Sequence, residues 1–144
     1  MIVLLQRVSE ARVEVLNECV GKIEKGLLAM VGVQASDDES TADHFVSRLM
    51  NYRVFADQQD KMNLSLIDID GGLLLVPQFT LAANTNKGRR PSFTSAATPA
   101  MAESVFQAML KIAQASYAKV ESGRFGANMQ VQLINDGPVT FILD

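Results

Sequence analysis

The chain has 144 residues, is 48% hydrophobic and 20% charged, and carries a formal net charge of −3. A chain of this length and composition is expected to fold as a single domain, residues 1–144, around a substantial apolar core. The net negative charge argues against a protein that coats nucleic acid, because such proteins neutralise many phosphates with Lys and Arg. We therefore expect no DNA partner, although the charge leaves room for one local contact with phosphate.

The N-terminal segment indicates the compartment, and the single cysteine and single histidine limit the chemistry that the chain can perform. Residues 2–5 are apolar, but the run ends at Gln6 and is too short for a signal peptide or a membrane span, so we expect a cytoplasmic protein. Cys19 and His44 are the single residues of their types, which argues against an internal disulfide and against a metal site. We interpret Cys19 as a small buried hydrophobe and His44 as an exposed helix residue. No metal and no cofactor are expected.

Alternating apolar residues predict strands in the first third of the chain. Residues 2–8 and 11–16 have the period-two pattern of half-buried strands, and residues 17–18 are a candidate turn that returns the chain along residues 19–23. Residues 26–33 form a continuous apolar run bounded by glycine. Such a run predicts a central strand that is covered on both faces.

Two segments have the spacing of amphipathic helices. The stretch Ser36–Glu39 has the form of a capping box, and it is followed by apolar residues at Ala42, Phe45, Val46, Leu49 and Met50. Thr98 and Pro99 match an N-cap and a first helical residue, and they are followed by apolar residues at Ala102, Val105, Phe106, Met109, Leu110 and Ala113. The sequence therefore predicts two helices that each bury one face.

A strand in the middle of the chain ends in polar groups. The turn at Asp70–Gly72 leads into a predicted strand over residues 73–81, whose apolar run gives way to Pro77, Gln78 and Thr80. Pro77 lacks a backbone N–H, so we expect it at an edge or a bulge, where strand pairing opens. Polar groups at the end of a buried strand are typical of a pocket rim, and this is the candidate site.

Three basic residues follow this strand closely. Lys87, Arg89 and Arg90 place three positive charges within four positions. Such a cluster can hold phosphates near the candidate site. A solvated loop explains the same residues, and the composition alone favours that simpler interpretation.

The C-terminal part returns to strands. Residues 129–133 alternate in polarity and residues 139–143 form a last apolar run, with Asn135–Pro138 between them. Spacing alone favours a hairpin turn there. The alternative is a rigid corner in which Gly137 allows close backbone approach and the bond to Pro138 is cis. Together the elements predict an α/β fold of the α+β kind, a mostly antiparallel sheet covered by two helices.

Several short motifs, in order along residues 1–144, closely resemble those of the D-aminoacyl-tRNA deacylases, also called D-tyrosyl-tRNA deacylases. The motifs are Gln6–Ser9, Lys61–Leu64, Gln78–Leu81, Lys87–Phe93, Phe125–Ala127, Met129–Val131 and Asn135–Thr140. The resemblance implies a compact β-barrel-like fold and a homodimer. It also implies hydrolysis of the ester that joins a D-amino acid, or glycine, to the 3′ end of tRNA, which is chiral proofreading in translation.

Site roles are carried over from the resemblance position by position. Gln78, Phe79 and Thr80 match the catalytic motif, and Pro77 stands where the family has serine, which removes one hydroxyl from the site. The motif around Gly137 matches the family's Gly-Pro corner.

In the family, the Gly-Pro corner is a cis peptide that enters the active site of the other subunit and selects chirality. For this chain the corner is Gly137–Pro138, and the resemblance places Arg7 near it. Phe125 and Met129 are implied as further substrate-binding residues, and Lys87, Arg89 and Arg90 are expected to bind the tRNA.

Two mechanisms fit the resemblance. Thr80 is either a covalent nucleophile, or the 2′-hydroxyl of the terminal adenosine assists the reaction without any side-chain nucleophile. We favour the second, because the sequence offers no base to activate Thr80. Two rival functions stay open at this level: a non-catalytic module that binds an aminoacyl or nucleotide ligand, and a small threonine-dependent esterase that does not act on RNA.

Overall fold

The computed structural model describes residues 1–144 as eight strands, two α-helices and one 3₁₀ helix. In chain order the elements are β1 Ile2–Val15, β2 Glu18–Ile23, β3 Gly26–Gly32, α1 Glu39–Asn51, β4 Phe55–Ala56, β5 Met62–Leu64, β6 Gly72–Pro77, the 3₁₀ helix Phe79–Ala82, α2 Pro99–Ser116, β7 Val120–Ser122 and β8 Gln130–Leu143. Neither α-helix combines the length and the apolarity that crossing a bilayer requires.

Six of the strands form one mixed sheet, and β4 pairs with β5 in a small separate sheet. The long strand β1 is antiparallel to β2, β3 and β8, whereas β3, β6 and β7 run parallel to one another. The sheet curves until β2 approaches β7, since a Cβ added at Gly21 would lie 2.6 Å from the carbonyl oxygen of Ser122. The prediction of a mostly antiparallel, barrel-like sheet covered by two helices is confirmed.

The predicted breaks in the first and last strands are wrong. Residues 2–15 form one strand instead of two, because β8 pairs with β1 on both sides of the polar residues 9–10. Residues 130–143 are likewise one strand, so the hairpin interpretation of Asn135–Pro138 is wrong. Long-range pairing between β1 and β8 continues both strands through segments whose local sequence resembles a turn.

The helix predictions are confirmed except for one cap. The N-cap of α1 is Asp38, whose carboxylate accepts from Thr41 N at 2.9 Å, so the capping box lies two residues beyond the predicted Ser36–Glu39. That backbone hydrogen bond from Thr41 lowers the pKa of Asp38. Its neighbour Asp37 is engaged elsewhere, because its carboxylate accepts from the Met1 ammonium at 2.6 Å. Thr98 caps α2 as predicted.

The core has two compartments on the two faces of β3 and β6. The larger lies between the sheet and the helices and includes Leu27 and Leu73, whereas the smaller lies inside the curved sheet and includes Leu28 and Leu74. Alternate residues therefore serve opposite faces, which confirms a central strand covered on both sides. Cys19 is exposed, so the prediction that it is buried is wrong: its side chain lies on the outward face of β2.

Candidate active site

Strand β6, predicted over residues 73–81, ends earlier than predicted, at Pro77. Its neighbour β7 pairs with it only as far as Leu75, so the pairing has opened on that side of Pro77, while on the other side Pro77 still pairs with Val31 of β3. Gln78 N still donates to Val31 O at 2.7 Å, and the chain then turns into the 3₁₀ helix through Leu81 N, which donates to Gln78 O at 3.2 Å. The strand prediction is therefore wrong for residues 78–81.

An open cavity of about 430 Å³ lies beside this strand end. Five predicted site residues line it, namely Pro77, Gln78, Phe79, Phe125 and Met129. The remaining lining is mostly small and apolar and comes from β6, β8, the start of α2 and the loop at residues 126–127. A cavity of this size with few polar groups is typical of a small-ligand site. The fold thus brings together residues that are up to 52 positions apart in the sequence.

The polar groups at the strand end interact with one another. The Gln78 side-chain amide donates to the Thr80 hydroxyl oxygen, and Thr80 is exposed and does not line the cavity. No carboxylate or imidazole forms a hydrogen bond with this hydroxyl, and His44 lies exposed on α1. The geometry therefore gives Thr80 no general base within hydrogen-bond reach, which a serine- or threonine-type nucleophile needs.

Backbone donors lie at the same strand end. Phe79 and Thr80 are the first two residues of the 3₁₀ helix, so their N–H groups have no acceptor within that helix. Donors of this kind can stabilise an oxyanion when they point to the atom on which negative charge develops. This strand end therefore offers a ligand backbone donors that the 3₁₀ helix itself leaves without an acceptor.

The Gly137–Pro138 corner is a bulge on β8, and its peptide bond is cis, as predicted. Asn135 pairs with Val8 and Thr140 with Gln6, so the four residues between Asn135 and Thr140 face a single residue of β1 and protrude. Residues 136–138 are exposed. The corner does not line the cavity of its own chain.

The side chains of Arg7 and Asn135 hold this corner in place. Arg7 donates from Nε to Asp136 O at 2.9 Å and from Nη1 to Val54 O at 2.7 Å, and only 14% of its side chain is exposed. Asn135 closes the bulge, since its Oδ1 accepts from Val139 N at 2.7 Å. Arg7 therefore contacts the corner, as the sequence resemblance implies, and does not line the cavity.

The basic residues lie on a loop that starts directly after the 3₁₀ helix. Lys87, Arg89 and Arg90 are all exposed. Two backbone hydrogen bonds between Asn84 and Ser92, of 2.7 and 3.0 Å, close this loop, which we call the basic loop, residues 84–92. The loop thus presents three exposed cations a few residues after the 3₁₀ helix whose first residue, Phe79, lines the cavity, although no loop residue lines the cavity itself.

Sequence reasoning gave no role to Phe93, the residue after the basic loop. Its ring packs on Phe79 with 5.2 Å between centroids. The signal that could have identified it is an aromatic residue directly after a basic stretch in a segment with no apolar periodicity.

The shifted pKa values belong to groups outside this region. A hydrogen bond to Asp70 raises the pKa of Lys119, and the backbone N–H of Lys61 lowers that of Asp57. No group of three or more His, Cys, Asp and Glu side chains is arranged to hold a metal ion. The described site therefore consists of amide, hydroxyl, backbone and apolar groups.

Comparison with known proteins gives consistent matches over nearly the whole chain. Residues 4–144 match the family model described as D-Tyr-tRNA(Tyr) deacylase. A D-aminoacyl-tRNA deacylase of Pseudomonas aeruginosa is 60% identical over 98% of this chain and 97% of its own length. One from Ectopseudomonas mendocina is 58% identical and covers 100% of this chain and 99% of its own length.

Two solved structures share the fold. One, named c-Myc DNA Unwinding Element Binding Protein, superimposes with a TM-score of 0.95 at 35% identity and covers 100% of this chain and 98% of its own. Another, described as a probable eukaryotic D-amino acid tRNA deacylase, has a TM-score of 0.86 at 16% identity, covering 99% and 97% of the two chains. At that identity the second likeness concerns the fold alone.

Proposed function

Because the chain belongs to the D-Tyr-tRNA(Tyr) deacylase family, we propose that it hydrolyses the ester bond joining a D-amino acid to the 3′ end of tRNA. The products are the free D-amino acid and tRNA, and the reaction removes misacylated tRNA, including mischarged glycyl-tRNA, in the cytoplasm. The observation that carries this proposal is the match over residues 4–144, which includes the strand-end motif at the cavity.

Hydrolysis at this site relies on positioning and backbone donors. An aminoacyl ester is already activated, so attack on its carbonyl carbon needs an oriented oxygen nucleophile and stabilisation of the oxyanion. The N–H groups of Phe79 and Thr80 supply the donors, and Gln78 orients the ribose or the water. The 2′-hydroxyl of the terminal adenosine assists, because Thr80 has no base beside it.

Discrimination against L-amino acids comes from the corner of a second copy of this chain. Gly137–Pro138 protrudes, is exposed and stays outside its own cavity, so a partner cavity is a fitting place for it. The strand β8 pairs only with β1, and its exposed Ile134 and Ile142 mark the edge on which a two-fold partner would pack. Backbone fixed by Arg7 excludes an L side chain sterically and admits many D-amino acids.

The tRNA is held by charge beside the cavity. Lys87, Arg89 and Arg90 contact phosphates of its 3′ end, while the aminoacyl group occupies the space lined by Phe125 and Met129.

A second candidate function follows from Pro77. This residue lines the cavity where the family resemblance implies a serine, so a module that binds the aminoacyl end without hydrolysing it is the alternative. The deacylase is favoured because the backbone donors beside Pro77 do not depend on a hydroxyl.

One assay separates these functions. The protein is incubated with D-aminoacyl-tRNA, with L-aminoacyl-tRNA and with the ethyl ester of the same D-amino acid, and release of the amino acid is measured. We expect rapid hydrolysis of the first substrate only. Binding without hydrolysis identifies the non-catalytic module, and equal hydrolysis of the free ester identifies a general esterase. A Pro77→Ser variant assayed in parallel measures the effect of the missing hydroxyl.

A further inference from the structure

An exposed aromatic pair lies between the cavity and the basic loop. Phe79 is 59% and Phe93 40% exposed, although the two rings pack on each other at 5.2 Å with a tilt of 43°. Large apolar side chains exposed together are a common mark of an interaction surface. The ester chemistry assigned above uses the main chain of Phe79 and makes no use of Phe93.

The two rings differ in their position relative to the cavity. Phe79 lines the cavity and Phe93 does not, so Phe93 lies one ring further out, on the side of the basic loop. Phe79 lines the pocket, Phe93 contacts Phe79, and the basic loop ends at Ser92 next to Phe93, so pocket, rings and loop are neighbours on the surface. This arrangement matches a ligand that has its reactive end in the cavity and a stackable, charged continuation behind it.

The segment that contains Phe93 is fixed by hydrogen bonds on both sides of this residue. Ser92 N donates to Asn84 O at 3.0 Å, and Ser95 Oγ donates to Ala82 O at 2.6 Å. These bonds tie both flanks of Phe93 to the end of the 3₁₀ helix that carries Phe79. The main chain that carries the ring is thus held on both sides before any ligand binds, which reduces the entropy lost on binding.

We propose that Phe93 stacks on a base of the single-stranded 3′ end of RNA, at a nucleotide preceding the terminal adenosine, while the basic loop holds the adjoining phosphates. This inference rests on the proposed function and assigns a new residue to its RNA-binding surface. Aromatic rings that stack bases beside Lys and Arg are the usual device for holding single-stranded nucleic acid. The three cations of the loop, in a chain of net charge −3, favour a polyanion over an apolar peptide, and the exposed aromatic rings beside them favour one that carries bases over an acidic peptide.

The test compares two substrates that differ only beyond the terminal nucleotide. Steady-state hydrolysis is measured for D-aminoacyl-tRNA and for D-aminoacyl-adenosine, with wild-type protein and the variants Phe93→Ala, Phe93→Leu and Phe93→Tyr. We expect Ala and Leu to raise KM for the tRNA substrate about tenfold, the effect of losing one stacked base, and Tyr to keep the wild-type value. KM and kcat for D-aminoacyl-adenosine should not change in any variant.

Leucine separates stacking from simple packing. It keeps the apolar volume next to Phe79 and lacks a π face, so wild-type KM in Phe93→Leu overturns the proposal. An equal loss on both substrates also overturns it, because Phe93 then acts only by positioning Phe79. Ile67, which is 47% exposed in the turn before β6, provides the control variant Ile67→Ala, for which both substrates should behave as with wild type.

A binding measurement keeps this inference separate from the deacylase itself. Fluorescence anisotropy is recorded with uncharged tRNA and with the same tRNA trimmed of its single-stranded 3′ end. Phe93→Ala should weaken binding of the intact tRNA about tenfold and leave the trimmed tRNA unaffected. Equal weakening for both RNAs contradicts stacking on the 3′ end. If the wild type hydrolyses neither substrate, the proposed function fails while this binding difference still decides the role of Phe93.

Discussion

The strand end at Pro77–Thr80 and the corner at Gly137–Pro138 differ in how the fold holds them. At the strand end the side-chain contact between Gln78 and Thr80 is local, and Gln78 lines the open cavity whereas Thr80 is exposed beside it. The corner is instead fixed from outside itself, by Arg7 of β1 and by the side chain of Asn135. One region is open, whereas the other is built as a rigid projection.

In the proposed function, this difference corresponds to two separate tasks. Ester hydrolysis needs access for water and the ribose and a few aligned donors, so an open mouth with free N–H groups suffices. Rejection of an L side chain needs a surface that does not yield, and backbone fixed by two side chains is such a surface. Mutations at the corner should therefore alter stereochemical selection, and mutations at the mouth should alter rate or RNA affinity.

The largest expected effect comes from Gly137→Ala. Gly137 has φ +144°, and an added Cβ would lie 2.6 Å from Val139 Cγ2 and 3.2 Å from Arg7 Nη2. The corner must shift, which should reduce discrimination between D- and L-aminoacyl-tRNA about a hundredfold and reduce stability by about 1–3 kcal/mol. Hydrolysis rates for both substrates and thermal unfolding provide the measurements.

Gly88→Ala is the matched control. Gly88 also has positive φ, +75°, but an added Cβ there would meet no atom within 4 Å. This variant also places a side chain at a positive-φ position, but without a clash, and should keep the wild-type ratio of D to L hydrolysis. If Gly137→Ala also keeps that ratio while folding normally, the corner does not select chirality.

Arg7→Ala is expected to have the next largest effect. It removes the donors to Asp136 O, which is exposed, and to Val54 O, which is partly buried, and leaving the Val54 carbonyl unpaired costs about 1–3 kcal/mol. The corner becomes mobile, so discrimination should fall about tenfold while kcat for D-aminoacyl-tRNA changes less. Unfolding midpoints and the D to L ratio are measured together.

Two further variants define the role of the Arg7 side chain. Arg7→Lys keeps the charge and cannot bond both carbonyls in the same fork, so it should resemble Arg7→Ala. Arg12→Ala removes another arginine of β1 that pairs with its neighbour Glu14, and it should keep the wild-type ratio. Full discrimination in Arg7→Lys would show that charge alone, and not the two hydrogen bonds, is required.

The two regions were predictable to different degrees. Gln78, Phe79, Phe125 and Met129 were placed at one pocket by motif resemblance, and the cavity confirms that they meet. The helices followed from apolar residues at helical spacing, a signal that depends only on neighbours in sequence. The helices are encoded locally, whereas the pocket residues lie up to 52 positions apart and were found only through the motif resemblance.

The corner was the harder part because its geometry depends on a distant strand. Residues 135–138 have a sequence that is typical of a hairpin turn, and only the pairing of β8 with β1 shows that they form a bulge within β8. The same limit explains the capping box, since Asp37 contacts Met1 and leaves Asp38 as the cap. Contacts between residues far apart in sequence decided each of these cases.

A smaller effect is expected from the double variant Arg89→Ala with Arg90→Ala. Both residues are exposed on the basic loop, so their removal should weaken tRNA binding without altering discrimination. The slope of log K against log salt should flatten by about 0.7 for each phosphate that the protein no longer neutralises. Anisotropy titrations across several salt concentrations measure both quantities. Lys119→Ala removes an exposed cation that pairs with Asp70 and serves as the control. An effect on tRNA binding equal to that of the double variant would show that the basic loop contributes only its charge and no specific contact with the tRNA.

Thr80→Ala should have the smallest effect of the series, and it tests the mechanism at the open mouth directly. The hydroxyl accepts from Gln78 and has no base beside it, so its removal costs one neutral hydrogen bond, about 0.5–1.5 kcal/mol, or roughly twofold to tenfold in kcat/KM.

A covalent nucleophile predicts a different scale. Removing the nucleophile of a serine-type hydrolase lowers kcat by about a millionfold, so the two mechanisms differ by several orders of magnitude in the same measurement. Thr80→Ser keeps the hydroxyl and should match the wild type under either mechanism, which makes it the control for folding. The backbone mechanism also requires that D-aminoacyl-tRNA ending in 2′-deoxyadenosine be hydrolysed slowly by wild type and by Thr80→Ala alike. Abolished turnover in a folded Thr80→Ala protein that still binds tRNA would assign the chemistry to the threonine, and the main-chain mechanism would be wrong.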